Sequence, residues 1–125
     1  MSKTILDANA VLRFILQDNL EQADAAEKIL LSDEGCIPLE VVAEIVFVLQ
    51  KVYEVKRSLI AKNLKDLVRI REDLIFEKDI VLYAANIYSS TSLDFVDCLL
   101  AGYFKIKNYS IFTFDKPLQR KIQAL

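Results

Sequence analysis

Residues 3–16 read KTILDANAVLRFIL, and the pattern of this stretch changes at a single aspartate. Its beginning predicts a short buried strand from Lys3 to Leu6, and the apolar residues from Val11 onward recur at helical spacing. Asp7 lies at the joint, where the strand ends and the helix begins. A strand that leads directly into a helix is typical of α/β folds, in which loops at the carboxyl ends of parallel strands form the site.

The rest of the chain repeats this alternation, so we predict a parallel α/β sandwich. Ser58 is expected to cap one of the helices. With 125 residues and 54% hydrophobic content, the chain suits one domain over residues 1–125. Helices are predicted over 20–31, 39–53, 59–70, 79–88 and 93–105, short strands over 36–37, 74–76 and 110–114, and a turn of helix at the C-terminus.

Composition restricts the possible chemistry. The chain has no histidine, which excludes Ser-His-Asp and Cys-His catalysis and histidine zinc sites. Cys36 and Cys98 are isolated, so we expect two small buried hydrophobes rather than a disulfide or a closed zinc site. Oxygen ligands remain, and these favour Mg²⁺, Mn²⁺ or Ca²⁺. No apolar run approaches the length of a membrane span and no signal peptide is evident, so we expect a cytoplasmic protein without a membrane partner.

Five carboxylates lie within apolar segments or at their ends, where the neighbouring residues give no local reason for a charge. Burial of such groups costs several kcal/mol or more, and carboxylates brought together repel unless protons or metal intervene. Their placement therefore predicts a metal site. Local alternatives stay open: a helix cap or turn for three of the aspartates, and an ion pair for the glutamate. The five residues are Asp7, Glu44, Asp94, Asp97 and Asp115.

Four segments carry a resemblance to a known family. They read ILDANAVLR at 5–13, VAEIVFVL at 42–49, DFVDCLLA at 94–101 and TFDK at 113–116. In order and approximate separation they resemble the PIN-domain ribonucleases, especially the VapC-type toxins of prokaryotic toxin–antitoxin pairs. The resemblance implies a three-layer α/β/α sandwich with a short, mainly parallel central sheet.

The resemblance also implies the chemistry: cleavage of RNA phosphodiester bonds by water activated by Mg²⁺ or Mn²⁺. The acidic set of the family maps to Asp7, Glu44, Asp97 and Asp115, with Asp94 as an additional nearby acid. Supporting polar positions map to Asn9 and Thr113, for which a local turn and ordinary strand propensity are the alternatives. Arg13 matches a recurrent family position, although a surface ion pair would also explain it. The basic residues nearest to the site in sequence, which could contact RNA or simply confer solubility, are Lys105, Lys107, Lys116, Arg120 and Lys121.

Partners follow from the same resemblance, which implies a homodimer inhibited by a cognate antitoxin protein. The apolar helices 39–53 and 59–70 are the interface candidates, unless both belong to the monomer core. Two other functions compete with RNA cleavage. One is a catalytically weak PIN-like module that binds RNA or protein. The other is a phosphoryl-transfer or receiver-like domain with Asp7 as nucleophile, although the chain lacks a second aspartate two residues further on.

Overall fold

A computed structural model describes residues 3–125, and within that range the chain forms seven helices and two strands. The single domain over residues 1–125 stays a prediction, and its first two residues lie outside the described range. In chain order the elements are β1 Thr4–Ile5, α1 Ala8–Leu16, α2 Leu20–Leu31, β2 Gly35–Cys36, α3 Leu39–Lys51, α4 Arg57–Ile70, α5 Lys78–Ser90, α6 Phe95–Lys107 and α7 Lys116–Gln123.

The sheet is short and parallel. β1 pairs with β2 so that Ile5 lies opposite Cys36. One residue beyond β2, Ile37 forms a parallel bridge with Ile75 and exchanges two backbone hydrogen bonds with residues 74–76. The α/β class and the short parallel sheet are thus confirmed, and the strand predicted over 74–76 is reduced to this one bridge.

A glycine allows β2 to approach α2. A Cβ atom at Gly35 would lie 2.3 Å from the carbonyl oxygen of Ile29, so any larger residue would displace backbone. A similar close approach brings α5 and α6 together, because a Cβ at Gly102 would lie 2.9 Å from Cγ2 of Ile80. Both glycines therefore serve packing between elements, since neither has a positive φ.

The core forms where the helices meet behind the sheet. Its largest fully buried side chain is Tyr88 of α5, whose hydroxyl donates to Oε1 of Gln50 at 2.7 Å. The two interface candidates contribute to this core, because the inner faces of α3 and α4 are buried. Their outer faces still expose apolar side chains, among them Phe47 and Leu59. The outer faces of α3 and α4 thus lie outside the monomer core, and a dimer interface on these helices stays a prediction.

One predicted element is wrong. Residues 110–114 form no strand and pair with no other backbone segment of the described chain. The isoleucine, threonine and two phenylalanines of this segment have high strand propensity, but such propensity reflects packing on a sheet surface, which this segment does not reach. Asn108 ends α6 in the left-handed conformation, and Tyr109 then stacks on Tyr103 of that helix. The chain is thereby held beside α6.

Several boundaries also differ from prediction. Helix α4 begins at Arg57 after Lys56, so Ser58 lies inside the first turn and is not the cap. Helix α6 starts two residues later than predicted, and the expected C-terminal turn is a helix of eight residues. Cys36 and Cys98 are free and buried, as predicted. No helix in residues 3–125 is both long enough and apolar enough to cross a membrane.

Candidate active site

Three of the five candidate acids occupy the N-cap positions of helices. Asp7 precedes α1 and accepts a hydrogen bond from the amide of Ala10 at 2.9 Å. Asp115 precedes α7 and accepts from the amide of Leu118 at 3.1 Å. Asp94 precedes α6 and makes no side-chain capping bond. Capping accounts for the position of the first two acids, whereas the carboxylate of Asp94 is left available for another partner.

The expected burial of these acids is wrong. No charged side chain of the described residues is fully buried. Glu44 is exposed although its sequence neighbours are apolar, because helical spacing places it on the outer face of α3 with Glu40, Phe47 and Lys51. Asp115 is also exposed, and it follows an irregular segment instead of a strand.

Asp97 is the exception, because its side chain is partly buried in the first turn of α6. Burial raises the pKa of this carboxyl above the ordinary 3.8, and the nearby charges of Asp94 and then Asp115 raise it further. Within residues 3–125, none of these three carboxylates forms an ion pair. We call them the acidic trio. A cation beside the trio would relieve both repulsions.

Two members of the trio line a groove of about 330 Å³ between α3 and the start of α6. Lys51 is the basic residue of this groove, and Gln50 supplies its side-chain amide. Its wall combines charge with apolar surface. The lining residues are Ala43, Val46, Phe47, Gln50, Lys51, Asp94, Phe95, Val96 and Asp97.

Asp7 lies in a different groove, of about 450 Å³, formed by β1, α1 and α2. Asn9 and Arg13 line the same groove. Arg13 donates to Oδ2 of Asp18 at 2.8 Å and to the hydroxyl of Tyr53 at 3.2 Å, so the ion pair considered for this arginine is present. Asp94, Asp97 and Asp115 do not line this groove.

The arrangement of the acids limits how a metal ion can be held. In the part of the chain that the structure describes, no group of three or more acidic or cysteine side chains is arranged to hold a metal ion. The chemistry of the donors nevertheless suits Mg²⁺ or Mn²⁺, because all of them are carboxylate oxygens and Asp97 has no compensating cation. The trio offers ligands to an ion without forming a closed cage around it.

Thr113 supports the trio through the backbone. Its hydroxyl accepts a hydrogen bond from the amide of Asp115 at 3.0 Å, and its carbonyl accepts from Nε2 of Gln119 at 2.7 Å. These bonds fix the backbone on which Asp115 stands. Strand propensity does not account for Thr113, because the residue lies in no strand, and its role beside the site stays a prediction.

The basic candidates lie around α6 and α7, with different partners. Lys105 donates to the carbonyl of Leu125 at 3.0 Å, and Lys107 pairs with Glu77 at 3.4 Å. Lys121 lies 3.5 Å from Oγ of Ser92, in the loop that leads into α6. Lys116 and Arg120 project from α7 into solvent.

Arg57 is a residue that the sequence did not single out. Its guanidinium lies 3.7 Å from the centroid of the Tyr88 ring, and its Nε donates to the carbonyl of Tyr88 at 2.8 Å. Its Nη2 donates to the carbonyl of Leu93, directly before Asp94. Arg57 therefore fixes the loop from which two members of the trio extend. No sequence pattern pointed to this contact, because its partners are backbone carbonyls more than thirty residues away.

Comparison with known proteins identifies the family of this chain. The family model of the PIN domain matches residues 4–123. That range begins with β1 and ends with α7, so it includes every helix and strand of the described chain. No curated protein matches the chain, and no solved structure does. The chain therefore belongs to the PIN-domain family, whose members are generally metal-dependent nucleases.

Proposed function

We propose that this protein is an endoribonuclease that cleaves RNA phosphodiester bonds with Mg²⁺ or Mn²⁺, and that it is the toxin of a VapC-type toxin–antitoxin pair. One observation carries the enzymatic part. Asp97 is partly buried and repelled by two further carboxylates, yet it has no basic partner in the described chain. In a nuclease family, an uncompensated carboxylate of this kind is best explained by a cation that the reaction requires.

Asp97, Asp94 and Asp115 would hold this ion, and Asp7 and Glu44 complete the acidic set that the family resemblance assigns. When bound, the ion neutralises charge on the phosphodiester and activates the attacking water. Lys51 attracts the scissile phosphate into the groove beside α6. Arg57 and Thr113 act as positioning residues, because they hold the backbone before Asp94 and Asp115.

Cleavage of labelled RNA by the purified protein tests this proposal. Wild type, Asp97→Asn and Asp7→Asn are compared in Mg²⁺, in Mn²⁺ and in chelator. Asp24→Asn is the matched control, because Asp24 is an exposed aspartate on α2, away from both grooves. We expect the control to match wild type and Asp97→Asn to lose about a hundredfold or more in rate. Equal cleavage by wild type and both site variants would reject the assigned residues.

A PIN-like module that binds RNA or protein with little catalysis is the second candidate. The lack of a preassembled metal-holding group of three acids among residues 3–125 favours it, since a preassembled metal cage would give a faster enzyme. The same assay separates the candidates. Tight RNA binding without turnover in either metal ion supports the module and excludes the nuclease.

The toxin role includes a homodimer, a cognate antitoxin and a cytoplasmic location. Exposed apolar side chains on and directly after α3, Phe47 and Val52, support a protein contact on this face. Light scattering over a range of concentrations tests the dimer, and Phe47→Glu should shift it to monomer. Co-expression with the product of a short neighbouring reading frame, followed by the RNA-cleavage assay, tests the antitoxin.

A further inference from the structure

The segment between α6 and α7 exposes an unusual amount of aromatic surface. Phe112 and Phe114 are 86% and 87% exposed, more than any other large apolar side chain that the structure describes. Their rings contact each other edge to face, with centroids 5.3 Å apart. At the beginning of the segment, Tyr103 and Tyr109 stack in nearly parallel planes with centroids 5.9 Å apart. We call these four residues the aromatic platform.

Exposure of the two phenylalanines has a cost and a local cause. Burial of such a ring stabilises a fold, and this fold leaves two of them in water. The backbone between the rings is held by Thr113, whose carbonyl and hydroxyl both accept hydrogen bonds. The exposed rings are thus presented by a backbone that hydrogen bonds fix, and a platform fixed in this way loses little entropy when a ligand binds.

The charge around the platform identifies the ligand. Residues 98–125 contain five lysines and arginines and one acid, Asp115, whereas residues 1–97 contain eleven basic and seventeen acidic residues. The part of the chain that bears the platform thus has a net charge of +4, whereas the rest of the chain has a net charge of −6. Exposed aromatic rings among cations are the combination that binds single-stranded nucleic acid, since bases stack on rings and phosphates meet the cations.

We propose that the aromatic platform binds unpaired bases of the RNA substrate, while Lys116, Arg120 and Lys121 contact its phosphates. This inference rests on the proposed function, because it assumes RNA as the ligand. Phe114 immediately precedes Asp115 in the chain. An RNA strand with a base stacked on the Phe114 ring therefore lies next to the acidic trio. The platform accordingly selects single-stranded over duplex segments for cleavage, because paired bases have no free face to offer.

Fluorescence anisotropy with a short labelled oligoadenylate tests the platform. Chelator is included so that binding is measured without cleavage. The key variant is Phe112→Leu/Phe114→Leu, which keeps apolar side chains but removes the rings. Phe76→Leu is the control, because Phe76 is an exposed phenylalanine outside the platform and lines neither of the two grooves. We expect the double variant to bind about tenfold more weakly or worse, and the control to bind as wild type does.

Competition experiments test whether the rings recognise unpaired bases. A duplex of the same length should compete poorly, and an abasic oligonucleotide should bind wild type and the double variant equally. Unchanged affinity of Phe112→Leu/Phe114→Leu for oligoadenylate overturns the proposal. Self-association that depends on these two rings, with RNA affinity unaffected, also overturns it and assigns the surface to a protein contact.

The outcomes separate this inference from the proposed function. RNA binding that requires the rings, together with no cleavage in Mg²⁺ or Mn²⁺, supports the platform and rejects the nuclease. Metal-dependent cleavage of the single-stranded oligonucleotide at the wild-type rate by the double variant rejects the platform and leaves the nuclease in place.

Discussion

Substitution of Asp97 by asparagine should stabilise the fold at neutral pH while it abolishes function. The carboxylate is partly buried, lies near two other carboxylates and accepts no hydrogen bond from the described residues, so an amide of the same shape loses no partner. Each like-charge repulsion near a protein surface is worth about 1 kcal/mol. Relief of both should raise the free energy of unfolding by about 1–2 kcal/mol, or the Tm by roughly 3–8 °C.

The pH dependence of this gain has a definite sign. The pKa of Asp97 in the folded protein is raised above the ordinary value of 3.8, so its ionised form destabilises the fold. That penalty is complete above the folded-state pKa and disappears as the pH falls below the unfolded value. The Tm difference between Asp97→Asn and wild type should therefore be largest at neutral pH and shrink in acid. High salt should also reduce it, because salt screens the repulsions.

Metal provides the second arm of the same experiment. At about ten times its dissociation constant, a bound ion stabilises the wild type by about 1.4 kcal/mol. Mg²⁺ or Mn²⁺ should raise the Tm of wild type and leave that of Asp97→Asn almost unchanged, as measured by differential scanning calorimetry. Asp24→Asn should behave as wild type does in every condition. A Tm of Asp97→Asn at or below that of wild type at neutral pH would refute the electrostatic reasoning, whatever the metal does.

Three further substitutions test positioning and packing. Arg57→Lys keeps the charge but loses the paired carbonyl contacts. The kcat of RNA cleavage should therefore fall more than about tenfold with little change in KM. A similar fall caused by global unfolding would appear in the circular dichroism melt. Gly35→Ala places a Cβ against backbone and should lower the free energy of unfolding by about 1–3 kcal/mol in urea titrations; an unchanged midpoint would show that the close approach is not rigid. Thr113→Val removes the hydroxyl that accepts from the amide of Asp115 and should cost about 1 kcal/mol by the same titration, while Thr113→Ser should retain it.

Helix positions could be predicted from the sequence because burial imposes its period on the side chains. The second helix was predicted over residues 20–31 and forms over those residues, and the start of α3 at Leu39 was also correct. Boundaries that depend on capping were less predictable. Ser58 has a suitable side chain for a cap, yet α4 begins one residue earlier, where Arg57 packs over Tyr88. That tertiary contact outweighs a local preference of about 1 kcal/mol.

The strand predicted over 110–114 failed for a related reason. Strand propensity favours an extended chain, but it does not supply a neighbouring strand. In the structure the inner residues of this segment, Ile111 and Thr113, line a small pocket with α6 and α7, and the outer residues remain in solvent. Burial therefore alternates along the segment, between a side that faces the helices and a side that faces solvent.

The acids of the candidate site also show that sequence neighbours alone do not decide burial. Sequence neighbours suggested that Glu44 was buried, but the angular position of a residue on its helix decides burial, and Glu44 faces outward. Asp97 was identified by the same argument and is partly buried, with its pKa raised. An amide at that position would remove the repulsion, so the charge of Asp97 weakens the fold. In the proposed nuclease a bound cation would remove this penalty, which would give the charge a task in the site.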